Sequence, residues 1–420
     1  MQEALIGGIF AATIVALYLR PRGVRDWQVA LVGASVAWIA GPLSFADGIV
    51  LLRHSWNIVA FFLGLMLLAA GAEAAGLYER VASVLRHQRP GRRRVVAVLV
   101  LGTAVTAILS NDATPLVLTP AIFAAGGLGT PETMRAALAV TFAADGASLL
   151  LPISNPVNLL FYERFSFGFG SYALHVLPAA AAGIAVLAVL TWIASGKSDA
   201  GADPGPGEPA AGEGVLVPAA FTTFATGAVA VLALAYIAAA MAGVPLGLVT
   251  LGGGATLFIG AVSFGGFDQR RYREHISAGL LVFVASLLLL VAVVSRVGLL
   301  SPLVQAFGHL NAAPVLLTIA GAALIATLLS NLVNNWPAAL LLAATIAVTP
   351  APHGALVVGS LIGCTIGANL TMVGSLSTVF WLSLLRQRGA AISPAAYFRA
   401  SALPTLAAVA AACLVAAVTL

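Results

Sequence analysis

The sequence predicts an all-α polytopic membrane protein made of two inverted repeats, with about ten transmembrane helices, two re-entrant helical hairpins and broken helices at the midplane. Three observations support this fold class. Of the 420 residues, 60% are apolar and only 8% are charged, whereas a soluble domain carries about 25% charged residues. Arginines cluster between the apolar runs, near residues 20–25, 80–94, 270–273 and 386–399, as they do in cytoplasmic loops. Polar stretches also interrupt runs in which a membrane helix would otherwise be continuous.

Ten apolar spans follow from a requirement of about 20 residues per crossing. They lie near 3–19, 27–46, 56–77, 133–165, 171–194, 218–242, 245–266, 275–297, 353–385 and 399–420. Glu3 precedes the first span and the arginines follow it, which is the wrong polarity for a cleaved signal peptide. We therefore expect a multi-pass protein of the inner (plasma) membrane with its N-terminus outside. The net charge of +5 then reflects the cytoplasmic loops and gives no indication of a nucleic-acid partner.

Two further apolar segments, 95–127 and 312–347, each contain a polar break. The first break reads Ser110-Asn111-Asp112-Ala113-Thr114-Pro115, and the second reads Ser330-Asn331-Leu332-Val333-Asn334-Asn335-Trp336-Pro337. As a helix, residues 95–109 would be about 22 Å long, short of a hydrocarbon core of about 30 Å. Re-entrant hairpins fit this length better than further crossings. Asn111 or Asp112, and Asn335, are predicted to cap the second helix of each hairpin.

The two halves of the chain repeat. Ser110-Asn111 recurs 220 residues later as Ser330-Asn331, and a second pair of interruptions recurs with it, at Ser154-Asn155-Pro156-Val157-Asn158 and Gly374-Ser375-Leu376-Ser377-Thr378. Residues 1–194 and 218–420 are the predicted repeats, with broken helices over 133–165 and 353–385. The Gly-, Pro- and Ala-rich acidic segment 195–217 is the predicted cytoplasmic linker. Paired broken helices in inverted repeats are typical of secondary transporters.

The polar residues of the four breaks are the predicted substrate-binding residues. They are Asn111, Asp112, Ser154, Asn155, Asn158, Asn331, Asn334, Asn335, Ser375 and Thr378. Helix capping alone would explain any one of them, but their paired occurrence exceeds what capping requires. No lysine or arginine lies near a break, which favours a neutral, hydroxyl-bearing solute over an anion.

Asp145 is the first candidate for proton coupling, with Asp112 as its partner. It lies near mid-depth in its span and has no basic residue nearby in the sequence, and acids in this setting serve as proton carriers. A structural hydrogen bond to a neighbouring helix is the alternative. Glu73 lies near the end of its span, where it is expected to reach the membrane surface. The proton motive force is the expected energy source, without a cofactor or metal.

At these motifs the sequence resembles the ArsB arsenite efflux family of the ion transporter superfamily. Ser110-Asn111-Asp112 leading to Leu118-Thr119-Pro120 looks like the first hairpin tip of the family, and Asn334-Asn335 with Pro337 like the second. Ala144-Asp145 with Ser148, and Gly374-Ser375-Leu376 with Thr378, look like its broken helices. Thr365 and Asn369 stand where some members carry an acidic residue and a lysine.

The resemblance implies efflux of arsenite or antimonite in exchange for protons, and a cytosolic arsenite-stimulated ATPase that docks in some systems. Cys364 and Cys413 are too few for a three-sulfur site, so recognition through the hydroxyls of As(OH)₃ is expected. Cys364 can touch cargo or serve as a small apolar residue. The alternatives are a Na⁺/H⁺ antiporter or an organic-anion carrier. An enzyme is disfavoured because no span carries a nucleophile–base pair or metal-ligand spacing.

Overall fold

The computed structural model describes residues 2–19, 23–88, 91–126, 131–195 and 217–420. Within these ranges the regular structure is entirely helical. Long apolar runs form helices because a backbone in hydrocarbon must satisfy its own hydrogen bonds. The polar interruptions coincide with the positions where the helices end. The predicted all-α class is therefore confirmed.

Eleven α-helices lie in the described part of the first half. They are α1 (Gln2–Leu19), α2 (Asp26–Ala40), α3 (Phe45–His54), α4 (Trp56–Ala74), α5 (Leu77–Arg86), α6 (Arg92–Ile108), α7 (Ala113–Gly126), α8 (Pro131–Gly146), α9 (Pro156–Arg164), α10 (Phe169–Ser171) and α11 (Leu177–Ala194). A 3₁₀ turn at Ala147–Leu149 follows α8, and a π-helical turn at Tyr172–Val176 joins α10 to α11.

The described part of the second half adds ten helices. They are α12 (Ala219–Ala242), α13 (Leu246–Ser263), α14 (Gln269–His275), α15 (Ala278–Arg296), α16 (Ser301–Asn311), α17 (Val315–Val333), α18 (Asn335–Val348), α19 (Gly354–Thr365), α20 (Leu376–Gln387) and α21 (Pro394–Thr419). A 3₁₀ turn at Gly367–Leu370 follows α19. The predicted linker falls almost wholly within 196–216, outside the described residues.

Within the described ranges, eight helices are long and apolar enough to cross a membrane, judged by length and composition. They are Gln2–Leu19, Trp56–Ala74, Phe169–Ala194, Ala219–Ala242, Leu246–Ser263, Gln269–Arg296, Val315–Val333 and Pro394–Thr419. Seven of them coincide with predicted crossings, and the eighth is α17, the first arm of the second predicted hairpin. The predicted crossing at 27–46 has only the shorter helix α2, and those at 133–165 and 353–385 are broken.

The order of elements repeats between the halves. The same series of elements runs from α5 to α11 and again from α16 to α21. It consists of an amphipathic helix, a helix pair with a break at a polar tip, a broken helix and a long apolar helix. The halves also exchange partners, since α4 packs on α13, α2 on α15 and α11 on α21. Helix α7 contacts α20, and α18 contacts α9. Each broken helix therefore meets the hairpin of the opposite half.

Glycines set the close approach of α4 and α13. A Cβ added at Gly64 would lie 2.5 Å from the backbone of Thr250 and Leu251, and one at Gly254 would lie 2.7 Å from the carbonyl oxygen of Gly64. Small residues at helix contacts are the usual means of close packing in membranes. This contact joins the two halves through backbone proximity.

Four short surface helices, α3, α5, α14 and α16, were not predicted from the sequence. Helix α14 supplies the ion-pair partners of Glu73. The carboxylate of Glu73 lies 3.0 Å from Nε2 of His275 and 3.9 Å from Nε of Arg271. Glu73 is thus ion-paired across the α4–α14 contact, in addition to lying near a helix end as expected.

Gly254→Val is expected to lower the melting temperature of the purified protein, because the new side chain overlaps the backbone of α4. Overpacking of this kind costs about 1–3 kcal/mol. Gly252→Val is the matched control on the same helix, since a Cβ at Gly252 meets nothing within 4 Å. Equal melting temperatures for the two variants in thermal denaturation would contradict the close contact.

Candidate functional site

Each polar tip is held to the broken helix of its own half by one backbone hydrogen bond. The amide of Asn111 donates to the carbonyl oxygen of Ser154 (2.9 Å), and the amide of Asn335 donates to that of Gly374 (2.8 Å). Both acceptors immediately precede the capping residue of the following helix. The same brace in both halves means that tip and break form one unit in each repeat.

The caps of the tip helices differ from the prediction. The hydroxyl of Ser110, rather than Asn111 or Asp112, accepts a hydrogen bond from the amide of the first residue of α7 (3.3 Å). In the second tip, Asn334 has a φ of 76° and its Oδ1 accepts from the second amide of α18 (3.3 Å), while Asn335 is the first residue of that helix. Asn111 and Asn335 are both buried at the tips.

Asn155 and Asn158 organise the first broken helix. Oδ1 of Asn155 caps α9 by accepting from the amide of Val157 (2.9 Å), and its Nδ2 donates to Oγ of Ser148 (3.2 Å). Nδ2 of Asn158 donates to the carbonyl oxygens of Ser148 (2.5 Å) and Leu151 (3.0 Å). These amides satisfy backbone groups that the break removes from the helical pattern.

Asn331 and Asn334 likewise form hydrogen bonds with backbone groups at the break of the second half. Asn331 donates to the carbonyl oxygens of Thr327 (2.8 Å) and Gly367 (2.9 Å), and its Oδ1 accepts from the amide and the hydroxyl of Thr371 (both 2.8 Å). Nδ2 of Asn334 donates to the carbonyl oxygen of residue 373 (3.0 Å). Both polar atoms of the Asn331 side chain therefore bond to protein groups, and neither is free to bind a substrate as predicted.

Asp145 lies where the two halves meet. Its Oδ1 accepts hydrogen bonds from the hydroxyls of Ser375 and Ser377, both at 2.7 Å. Its Oδ2 accepts from the hydroxyl of Thr378 (3.1 Å), and Nδ2 of Asn111 lies 3.5 Å from Oδ1. The side chain is 0% exposed, and no basic group among the described residues forms an ion pair with it. Neutral donors, three of them hydroxyls from the opposite half, therefore solvate this carboxylate.

Ser377 and Asn369 were missed as contacts of Asp145. With its amide nitrogen turned inward, Asn369 donates to Oδ2 of Asp145 (3.3 Å) and to the carbonyl oxygen of Thr141 (3.1 Å). A signal was present in the repeat, because Gly146-Ala147-Ser148-Leu149 returns as Gly367-Ala368-Asn369-Leu370. That match places Asn369 at the second break, in the position of Ser148. Ser377 lies two residues after the cap Ser375 and carried no separate signal.

Three buried carboxylate or amide oxygens near these breaks have no hydrogen-bond partner among the described residues. They are Oδ1 of Asn111, Oδ1 of Asp112 and Oδ1 of Asn158. An unsatisfied buried acceptor costs about 1–3 kcal/mol, so hydroxyl donors of a bound solute would relieve it. All three belong to the first half, as does Asp145.

Cys364 is buried in the last turn of α19 beside Ser330, and Cys413 is buried in α21. Neither side chain is recorded in contact with Asp145. Among the described residues, no group of three or more His, Cys, Asp or Glu side chains could hold a metal ion. The geometry thus offers oxygen and amide groups, rather than thiols, to a solute at the breaks.

Asn331→Ala is expected to lower the melting temperature by several degrees, because it leaves buried backbone groups at the second break unpaired. Asn111→Ala is the matched control, since the Asn111 side chain makes one long hydrogen bond and keeps an unpartnered oxygen. Thermal denaturation in detergent compares the two. A melting temperature for Asn331→Ala at or above that of Asn111→Ala would refute a structural role for Asn331.

Comparisons of sequence and structure relate the chain to known membrane transporters. The chain is 29% identical over 419 residues to an arsenical pump membrane protein of Escherichia coli, covering 96% of this chain and 95% of that protein. A protein of the same name from Yersinia enterocolitica is 29% identical over 422 residues, with the same coverage. An uncharacterized transporter of Mycobacterium tuberculosis is 25% identical over 394 residues, covering 88% of each chain. The predicted resemblance to arsenite efflux proteins is confirmed.

The crystal structure of the YdaH transporter of Alcanivorax borkumensis, described as having an unusual topology, has a similar fold. The TM-score is 0.56 at 16% sequence identity, over 93% of this chain and 96% of that one. The relatives confirm a multi-pass membrane transporter rather than an enzyme. A family model described as "Citrate transporter" matches residues 14–363. With most of its length matched, the chain belongs to the citrate transporter (CitMHS) family.

Proposed function

We propose that this transporter exports trivalent arsenite or antimonite, as the neutral hydroxide, in exchange for protons. The observation that carries the proposal is the buried carboxylate of Asp145, which has neutral donors on both oxygens and, among the described residues, no ion-pair partner. The similarity to arsenical pump membrane proteins along 96% of the chain supports the same cargo.

Charge at the site argues for a neutral cargo. An organic anion bound beside an ionised Asp145 would be repelled in a medium of low dielectric constant, and no arginine or lysine at the breaks offsets that repulsion. As(OH)₃ carries three hydroxyl donors. The unpartnered oxygens of Asn111, Asp112 and Asn158 are acceptors that such donors would satisfy. Ser154, Asn155 and Asn335 keep the breaks in place around them.

Protonation of Asp145 gives the exchange its coupling. The ionised carboxylate engages Ser375, Ser377 and Thr378 as donors. A protonated acid becomes a donor on one oxygen, so at least one of these hydroxyls turns away and becomes available to the solute. Proton entry and the state of the solute site are then linked through the same three hydroxyls of the second half. Asp112, with an unpartnered oxygen near the same tip, is the second group of the pair.

The proposal includes the predicted surroundings of the site. The protein resides in the inner membrane with its N-terminus outside, the helix pairs α6–α7 and α17–α18 are re-entrant, and the proton motive force is the energy source without a cofactor. Coupling to a cytosolic arsenite-stimulated ATPase is a further expectation, with the acidic linker and the arginine-bearing loops as candidate docking surfaces.

Asp145→Asn is expected to abolish arsenite accumulation driven by an inside-acid gradient in everted vesicles, because the amide cannot take up a proton. Arsenite counterflow without a gradient reports whether the variant still folds and binds. Glu274→Gln, at an exposed acid on α14, is the control with the same chemical change. Normal gradient-driven accumulation by Asp145→Asn would remove the coupling role.

The double variant Cys364→Ala, Cys413→Ala is expected to retain arsenite transport within about twofold, because both thiols are buried and recognition is assigned to oxygen and amide groups. Initial rates of arsenite uptake into everted vesicles measure this. The two single variants are the controls. Loss of transport in Cys364→Ala alone would transfer recognition to the thiol.

The alternatives are tested in the same vesicles. Dependence of proton movement on sodium would favour a Na⁺/H⁺ antiporter, and uptake of citrate would favour an organic-anion carrier of the kind that the family description names. With arsenite as the cargo, we expect neither sodium nor citrate to dissipate the proton gradient, whereas arsenite and antimonite do.

A further inference from the structure

A cleft of about 430 Å³ lies outside the transport site, between the end of α5, the first turns of α6 and the end of α11. Its polar end contains Gln88, Arg92 and Arg93. Its apolar wall includes Val96 and Val100, which are 41% and 63% exposed. Apolar side chains exposed on a membrane helix face lipid, so the cleft opens toward the bilayer at the level where the helix begins.

Arg92 is only partly satisfied within the protein. Its guanidinium carbon lies 4.3 Å from the centre of the Trp192 ring, and its buried Nε has no hydrogen-bond partner among the described residues. No carboxylate of the described residues forms an ion pair with Arg92 or Arg93. The neighbouring Arg94, in contrast, lies 3.6 Å from Glu132. Among the described residues, two of these three consecutive arginines therefore have no carboxylate partner.

The position of Arg92 and Arg93 at the start of a helix adds to the excess of positive charge in the cleft. Arg92 is the first residue of α6; the carboxylate of Glu132 accepts a hydrogen bond from the N-cap amide of Gly91 (2.5 Å) and lies by Arg94, away from the cleft lining. The start of a helix carries a partial positive charge, which disfavours further cations and favours an anion. A phosphate group would accept hydrogen bonds from guanidinium groups and would also lie at the positive end of the helix.

The apolar part of the cleft identifies the source of the phosphate. A free phosphate would leave the wall formed by Val84, Val96 and Val100 uncovered, whereas an acyl chain covers it. Trp192 beside Arg92 fits the preference of tryptophan for the membrane–water boundary. Basic pockets between helices on the cytoplasmic side bind anionic lipid head groups. The geometry points to a site for an anionic phospholipid, with its phosphate at Arg92 and Arg93 and a chain along Val96 and Val100.

This lipid would connect elements that bear on transport. Helix α6 leads to the tip that contains Asn111, while α11 packs on α21 of the other half. A lipid held between α6 and α11 would therefore fasten the first tip helix to the contact between the halves. The site itself is separate from Asp145 and does not depend on which solute is carried.

Thermal stability of the purified full-length protein in detergent tests the site. Dioctanoyl phosphatidylglycerol is expected to raise the melting temperature in a saturable manner, whereas dioctanoyl phosphatidylcholine and inorganic phosphate are not. Retention of phosphatidylglycerol in native mass spectrometry is the second measurement. An equal effect of inorganic phosphate would overturn the lipid assignment in favour of a free anion, and an equal effect of phosphatidylcholine would overturn the need for negative charge.

Two variants address the two ends of the cleft. Arg92→Gln with Arg93→Gln is expected to weaken phosphatidylglycerol binding about tenfold or more, as loss of charged hydrogen bonds does. Ala97→Trp keeps both charges but fills the apolar part, so it should also abolish the lipid-dependent rise in melting temperature. The control is Arg270→Gln with Arg273→Gln on the exposed face of α14. Wild-type affinity for phosphatidylglycerol in both cleft variants would refute the site, whatever the outcome for arsenite transport.

Discussion

A carboxylate in an apolar interior must find donors or be neutralised, and the arrangement around Asp145 follows from that requirement. No cation in the described part of the chain forms an ion pair with Asp145. The hydroxyls of Ser375, Ser377 and Thr378 donate the hydrogen bonds that water would otherwise supply. These hydroxyls lie on the other half of the molecule. The two broken helices must therefore meet at one place. The exchange of helix partners between the halves, α4 with α13 and α2 with α15, accompanies that meeting.

The repeat is symmetric in its backbone and asymmetric in its chemistry. The tip-to-break hydrogen bonds of Asn111 and Asn335 match, and so do the 3₁₀ turns that follow α8 and α19. The acid does not recur, since residues 365–367 read Thr-Ile-Gly where the first half has Ala144-Asp145-Gly146. One half thus supplies the titratable group and the other supplies its hydroxyl donors. A duplicated scaffold has been given two complementary roles.

The positions of the breaks could be predicted from the sequence, whereas several side-chain contacts across them could not. Breaks are local, because amides, hydroxyls and prolines interrupt an apolar run wherever they lie. Capping was misassigned by one residue at Asn335, since adjacent asparagines compete for the same amides. Ser377 and Asn369 reach Asp145 only through packing of segments more than 220 residues apart, which no local pattern encodes. Asn331 has the residue type of a ligand, yet its hydrogen bonds to Thr327, Gly367 and Thr371 use both polar atoms of its side chain.

The contact between α4 and α13 has a consequence for biosynthesis. Gly64 on α4 finds its partner surface at Gly254, on a helix that the ribosome completes only after about 190 further residues. Until then, the small-residue face of α4 has no neighbour in the nascent chain. A polypeptide that ended after the first half would leave that face bare, so α4 attains its final packing only after the second half has been synthesised.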